Sequence, residues 1–217
     1  MEYPESKKSC DRFWTIDPID GTKGFLRNEQ YAICVSLVSQ GQVHFSIISC
    51  PNLVLEDGNE KGYGFIALRG SGAYEFPLFT GNLKRLEKRT DQLVGSVMME
   101  SYVAGHTSHQ LSSGLREHFG MNLAPARLDS QCKYCLIAHG AGSLYLRKPK
   151  ESYVEKIWDH APGSLLIEEV GGRVTDFAGN PICFLQQAGI PEIQSGIIAS
   201  MYETEEHQRL VNYLCNM

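Results

Sequence analysis

The run Phe13-Trp14-Thr15-Ile16-Asp17-Pro18-Ile19-Asp20-Gly21-Thr22 constrains this chain most, because it sets two carboxylates three residues apart where a strand is expected to end. Phe13 to Ile16 are aromatic and β-branched, as in a buried strand. Pro18 holds Asp17 extended and is expected to stop the ladder there. Asp20-Gly21 then turns the chain, and Asp20 or Thr22 is placed to cap the next element. The bend gathers oxygens: two carboxylates, the Thr22 hydroxyl and the Ile19 carbonyl. Ligands of oxygen alone suit a hard cation, Mg²⁺ before Zn²⁺. The plain alternative is a turn with two solvated aspartates.

At 217 residues, with 42% hydrophobic and 21% charged, the chain has the composition of a globular protein with one good core or two small ones. A formal charge of −5 argues against a nucleic-acid partner. No apolar run reaches membrane-spanning length, and Met1 to Lys8 lacks the apolar centre of a signal peptide, so a cytoplasmic location is expected. The seven cysteines are scattered, and Cys34, Cys50 and Cys135 sit in apolar runs, which fits reduced, buried thiols. Cys132 and Cys135 form a single C-x-x-C, a weak signal for zinc or redox chemistry.

Residues 30 to 76 read as antiparallel strands. Tyr31, Ile33, Val35 and Leu37 alternate onto one face, Gln40-Gly41 turns the chain into Val43 to Ile48, and Pro51-Asn52 is expected to end that strand. Two further strands come next, Tyr63 to Leu68 and Ala73 to Phe76. The polar stretch from Pro77 to Asp91 is the expected boundary between a domain over 1–90 and another over 91–217. Beyond it strands and helices alternate. Val97 to Met99 is a strand. A helix capped by Ser108 carries Leu111, Leu115 and Phe119, and a second opens at Asp129-Ser130 and ends at Gly140. Ser143 to Arg147 is a strand. Asp159 is placed as N-cap of a third helix with Pro162 in its first turn and Gly171-Gly172 as its stop. Strands near Arg173 to Asp176 and Gln194 to Ser200 precede a last helix capped by Thr204, bearing Leu210, Val211 and Leu214.

A carboxylate like Asp159 is ordinarily a cap, yet beside Asp17 and Asp20 it completes a three-carboxylate cage for two hard cations, the arrangement that serves in-line phosphate displacement. Thr22 offers a hydroxyl able to hold an attacking water. Lys133 near a helix start and Arg147 at a strand end are placed to seat phosphate, or to be solvated charges. His106 and His109 flank a small-residue loop, and Glu155 reads equally as an ion-pair partner of Lys156.

The string D-P-I-D-G-T resembles the signature of the lithium-sensitive, Mg²⁺-dependent phosphomonoesterases, which include the inositol monophosphatases. The blocks W-T-I-D-P-I-D-G-T-K-G-F-L-R, S-C-P-N-L, G-H-T-S-H, L-D-S-Q-C-K-Y-C, Y-L-R and E-K-I-W-D-H-A, in this order, resemble the 3'(2'),5'-bisphosphate nucleotidase branch. The resemblance implies a layered αβαβα, sugar-phosphatase-like fold of the α+β or α/β class. It implies metal ligands at Asp17, Ile19 (through its carbonyl), Asp20 and Asp159, water activation at Thr22, and nucleotide contacts at Thr22, His106, Ser130, Lys133, Arg147, Glu155 and Asp159. The implied reaction removes the 3'-phosphate from 3'-phosphoadenosine 5'-phosphate or the related 5'-phosphosulfate. It uses two or three Mg²⁺ ions and is inhibited by Li⁺. A monomer is implied for the complete enzyme, with a small nucleotide as partner.

Pro162 stands where the branch more often has a small residue. Family members also carry a longer segment before the D-P-I-D-G-T strand, with an acidic pair that binds metal and an aspartate that activates water. Only sixteen residues precede Asp17 here, so the expectation is a shortened N-terminal layer, fewer metal ions and exposed sheet surface. The alternatives are a form that binds nucleotide without turnover and an inositol phosphate phosphatase, the latter disfavoured by the K-G-F-L-R and D-S-Q-C-K-Y blocks.

Overall fold

The computed structural model describes residues 12–55, 60–102, 109–148, 155–184, 192–193 and 196–216. Six strands form an antiparallel meander in sequence order: β1 (Arg12–Asp20), β2 (Ala32–Ser39), β3 (Gln42–Val54), β4 (Lys61–Leu68), β5 (Gly72–Pro77) and β6 (Lys84–Arg85), with the short helix α1 (Thr22–Leu26) between β1 and β2. The β2–β3 turn falls where expected, and Gln40 and Gly41 both take positive φ (52° and 76°), the twist a tight hairpin needs.

Neither proline ends its strand. β1 runs on through Pro18 to Asp20, with a register shift between Asp17, opposite Cys34, and Asp20, opposite Ala32. β3 likewise continues past Pro51 to Val54, its pairing with β4 irregular between Cys50 and Val54. A proline lacks the ladder N–H, and an irregular pairing accommodates that loss without ending the strand.

The second sheet has the order β11-β13-β9-β7-β8, built from β7 (Met98–Ser101), β8 (Ala126–Leu128), β9 (Leu144–Arg147), β11 (Arg173–Thr175) and β13 (Ile197–Ser200). β7 is parallel to β8 and β9, whereas β13 is antiparallel to β9 and β11. The β8 strand, absent from the sequence reading, is reached through α2 (His109–His118), which buries Leu111 and Leu115, with Phe119 just past its end. A two-residue ladder pairs β10 (Glu155–Lys156) with β12 (Glu192–Ile193). Ser108 lies outside the described residues.

Helix α3 (Cys132–His139) and helix α4 (Ala161–Glu169) lie between the sheets, and one buried cluster runs from Ala32, Cys34 and Ile48 through Tyr134, Ile137 and Leu165 to Ile197 and Met201. A second cluster joins α2 to α5 (Thr204–Cys215) through Leu111, Leu115, Leu210 and Leu214. Thr204 is the first residue of α5 and not its cap; Glu203 holds that place without a side-chain bond. Ile33, Val35 and Leu37 do share a face of β2, but the covered face is the other one, with Ala32, Cys34, Ser36 and Val38. The open face carries a row across the sheet, Ile16, Val35, Ile47, Ile66 and Tyr74, beside Trp14, which is 57% exposed. Among the described residues no helix is long and apolar enough to cross a membrane.

Candidate active site

Asp17 and Asp20 flank the irregular step of β1, so the strand, which ordinarily sends neighbours to opposite faces, brings both carboxylates to one end of the sheet. Asp17 Oδ1 accepts from the Ile19 N–H at 3.1 Å, and the Ile19 carbonyl accepts from the Thr22 hydroxyl at 3.3 Å. Neither Asp20 nor Thr22 caps α1. Gly21 takes that position at φ 82°, where a Cβ would lie 2.8 Å from Ser130 Cβ, so only glycine lets this turn meet the start of α3.

Asp159 comes from the opposite side. It ends a 3₁₀ turn, Ile157–Asp159, while His160 occupies the N-cap of α4, so the expected capping role is not taken. Asp159 Oδ2 instead accepts from the Lys156 N–H at 3.4 Å. Oxygens of Asp17, Asp20 and Asp159 all lie within 4.8 Å of one another, and each residue is half-buried.

A cleft of about 290 Å³ contains this cluster, at the lower end of the range for small-molecule sites. Asp17, Ile19, Asp20, Thr22, Ser130, Lys133, Arg147 and Asp159 line it. Lys133 is 3% exposed and donates to the Ser130 and Leu128 carbonyls at 2.6 and 3.2 Å. Burial pushes its ammonium down to about 8, against the pull of Asp20. Glu155, expected beside a nucleotide, is fully buried and not among the lining residues. It accepts from Arg147 Nε at 2.7 Å and pairs with His160 Nε2 at 3.2 Å, so it holds Arg147 from behind. Burial pushes Glu155 up, but bonds from His160 and Arg147 win and hold it at about 2. His106 lies outside the described residues. Asp129, a further carboxylate on the cleft, is bound by Arg27.

Ser101 and Gln131 are among the cleft residues that the sequence did not single out. The Ser101 hydroxyl, at the end of β7 and 4% exposed, has no hydrogen-bond partner among the described residues. Gln131 donates its N–H to Asp20 Oδ2 and ties α3 to α4 through its side chain. Neither residue type carries a pattern that sets it apart from ordinary polar positions.

The charge balance fits a divalent cation. Burial raises Asp17; burial, with Asp17 nearby and Lys133 opposing, raises Asp20 to about 6; burial and then Asp20 raise Asp159 to about 7. Lys133 and Arg147 therefore offset the burial of these carboxylates only in part, and a hard cation held by their oxygens would supply further positive charge. Among the described residues, the C-x-x-C thiols join no cluster of metal-ligating side chains. Cys132 and Cys135 are buried, and Cys50 Sγ lies 3.7 Å from Cys135 Sγ as a free thiol.

Comparison with known proteins places the chain in a family. The chain is 40% identical over 199 residues to a 3'(2'),5'-bisphosphate nucleotidase of Oryza sativa, covering 87% of this chain and 55% of the relative. It is 41% identical over 192 residues to a protein of the same name from Emericella nidulans, covering 80% and 54%. The chain thus spans about half the length of the curated relatives it matches. In fold it is similar to CysQ from Bacteroides thetaiotaomicron, a bacterial member of the inositol monophosphatase family (TM-score 0.70, 21% identity, 89% of this chain and 71% of the other). It is also similar to an inositol monophosphatase from Anabaena (TM-score 0.66, 19% identity, 97% and 74%). The family model described as "Inositol monophosphatase family" matches residues 2–216, and with the layered α+β fold in place this chain belongs to that family.

Proposed function

We propose that this chain is a Mg²⁺-dependent phosphomonoesterase that releases the 3'-phosphate of 3'-phosphoadenosine 5'-phosphate to give AMP, accepts the 5'-phosphosulfate analogue, and is inhibited by Li⁺. The observation that carries this reading is the three-carboxylate cluster facing Lys133 and Arg147 across one cleft. The names of the relatives near 40% identity favour a bisphosphate nucleotide as substrate.

Asp17, Asp20, Asp159 and the Ile19 carbonyl are the groups that would hold Mg²⁺, which when bound polarises the phosphate and makes a bound water acidic. The Thr22 hydroxyl spends its hydrogen on the Ile19 carbonyl, so its oxygen is left to accept from an attacking water. Water oxygen bonds to phosphorus and the P–O3' bond breaks; of that water's two protons one stays with the released phosphate and one ends on O3', so the nucleotide leaves with a 3'-hydroxyl. Arg147, braced by Glu155, and Lys133 supply positive charge to phosphate oxygens. Ser130 and His106 complete the proposed nucleotide contacts. A cytoplasmic setting fits the free thiols.

The test is phosphate release from 3'-phosphoadenosine 5'-phosphate with Mg²⁺, with and without Li⁺, beside Asp17→Asn. Release that needs Asp17 and falls with Li⁺ supports the reading. A folded chain that binds the nucleotide and releases nothing points to a non-catalytic binding form, and a preference for inositol phosphates points to the other branch.

A further inference from the structure

Asp20 ends β1 and Asp159 ends the turn before α4, so the distance between their carboxylates depends on how two remote elements are held together. Among the described residues, Gln131 bonds to both supports. Gln131, 2% exposed, donates its backbone N–H to Asp20 Oδ2 at 2.5 Å. Its side-chain Nε2 donates to the Trp158 carbonyl at 2.8 Å, and its Oε1 accepts from the Gly163 N–H at 2.9 Å. Those two groups flank Asp159 in the chain.

Gln131 is also the N-cap of α3, a place from which shorter polar side chains bond the free N–H groups of their own helix. It does not do so: no side-chain cap bond is made, and the amide is turned wholly toward α4. The oxygen faces an N–H and the nitrogen faces a carbonyl, so a single orientation satisfies both bonds. Stabilising α3 does not account for that choice; the amide satisfies a first-turn N–H of α4 and, through the Trp158 carbonyl, fixes the Asp159 turn against Asp20.

The geometry points to Gln131 as a positioning residue that sets the spacing of the Asp20 and Asp159 carboxylates for a divalent cation. This rests on the metal-centred reading of the cleft. Groups that orient metal ligands from behind cost roughly 10- to 100-fold in affinity when lost. Gln131→Met keeps the side chain's length and removes both bonds. Gln131→Glu keeps the acceptor for Gly163 and sets an oxygen against the Trp158 carbonyl.

The experiment titrates Mn²⁺ into the chain and the variants, read by water-proton relaxation, with Tm measured separately without metal. The expected result is a 10- to 100-fold weaker Mn²⁺ affinity in a Gln131→Met chain that stays folded, its Tm lowered by the two backbone groups left unpaired; should that variant not fold, Gln131→Glu is judged by its Mn²⁺ affinity in the same way. A folded variant with affinity within two-fold of the parent overturns the inference and leaves the metal reading intact. A parent that takes up no Mn²⁺ overturns both.

Discussion

Gly163→Ala is expected to destabilise this chain, opposite in sign to what helix propensity gives. Gly163 lies in the first turn of α4, and alanine is favoured over glycine inside a helix by about 1 kcal/mol, less near an end. A Cβ there would stand 2.3 Å from Cδ2 and Cγ of Tyr134, against 3.4 Å for the start of ordinary contact, so one partner must retreat by 3.4 − 2.3 = 1.1 Å or more. Tyr134 has nowhere to go. Its ring is buried, edge-on to Tyr145 at 5.1 Å, and its hydroxyl lies 2.9 Å from His160 Nδ1. Overpacking of this kind costs roughly 1–3 kcal/mol. The net loss is about 1–2 kcal/mol, read by urea unfolding with linear extrapolation. The same displacement moves the turn bearing Asp159 away from Asp20, so Mn²⁺ affinity should fall as well. A Gly163→Ala chain as stable as its parent or more so would mean that Tyr134 can retreat from the added methyl at no cost.

Acid should weaken the fold through His207, whose imidazole burial, then the Arg173 charge, holds at about 4 against an ordinary 6.5. The Thr175 hydroxyl donates to the Asp176 carbonyl, so it accepts from His207 Nε2, while Nδ1 accepts from the Ser200 hydroxyl; the neutral ring satisfies both. Because the folded pKa lies below the unfolded one, this stability is complete above about pH 6.5 and declines as pH falls toward 4, by about 2–3 kcal/mol. His207→Gln should flatten that decline in urea titrations at pH 7 and 4.5, and an unchanged slope would exclude His207 as its source. Ser101→Ala removes a buried hydroxyl on the cleft with no partner among the described residues, so on the proposed activity KM for 3'-phosphoadenosine 5'-phosphate should rise several-fold while Tm holds or rises; an unchanged KM would mean that this hydroxyl does not meet the substrate. Ile48→Ala, on the covered face of β3, should cost about 2–5 kcal/mol, and Ile16→Ala, 62% exposed, under about 1 kcal/mol. Equal losses would mean that the open face of the sheet is covered in solution.

Much of the first sheet was legible because its signals are local. Alternation located β2 through β5, Gln40-Gly41 marked a hairpin, and Asp17 and Asp20 were readable as a pair because a single bend carries both. Local signals misled where a proline has two uses. Pro18 and Pro51 look like stops, yet irregular pairing carries each strand past them. Alternation names the two faces of a strand without saying which is covered, and β2 has apolar residues on both. Capping was misassigned at Thr22, Asp159 and Thr204 because a cap depends on where a helix begins to within one residue.

The strand meander, the acidic bend, the helix stripes of α2 and α5 and the family could all be read from residue order. That Asp159 stands within reach of Asp17 and Asp20, that Glu155 braces Arg147 from behind the cleft, and that Ser101 and Gln131 line it came to light with the folded chain. The reason is physical. A turn or a stripe is written in neighbours a few residues apart, whereas the direction of a polar side chain is set by whichever remote donor or acceptor burial brings against it.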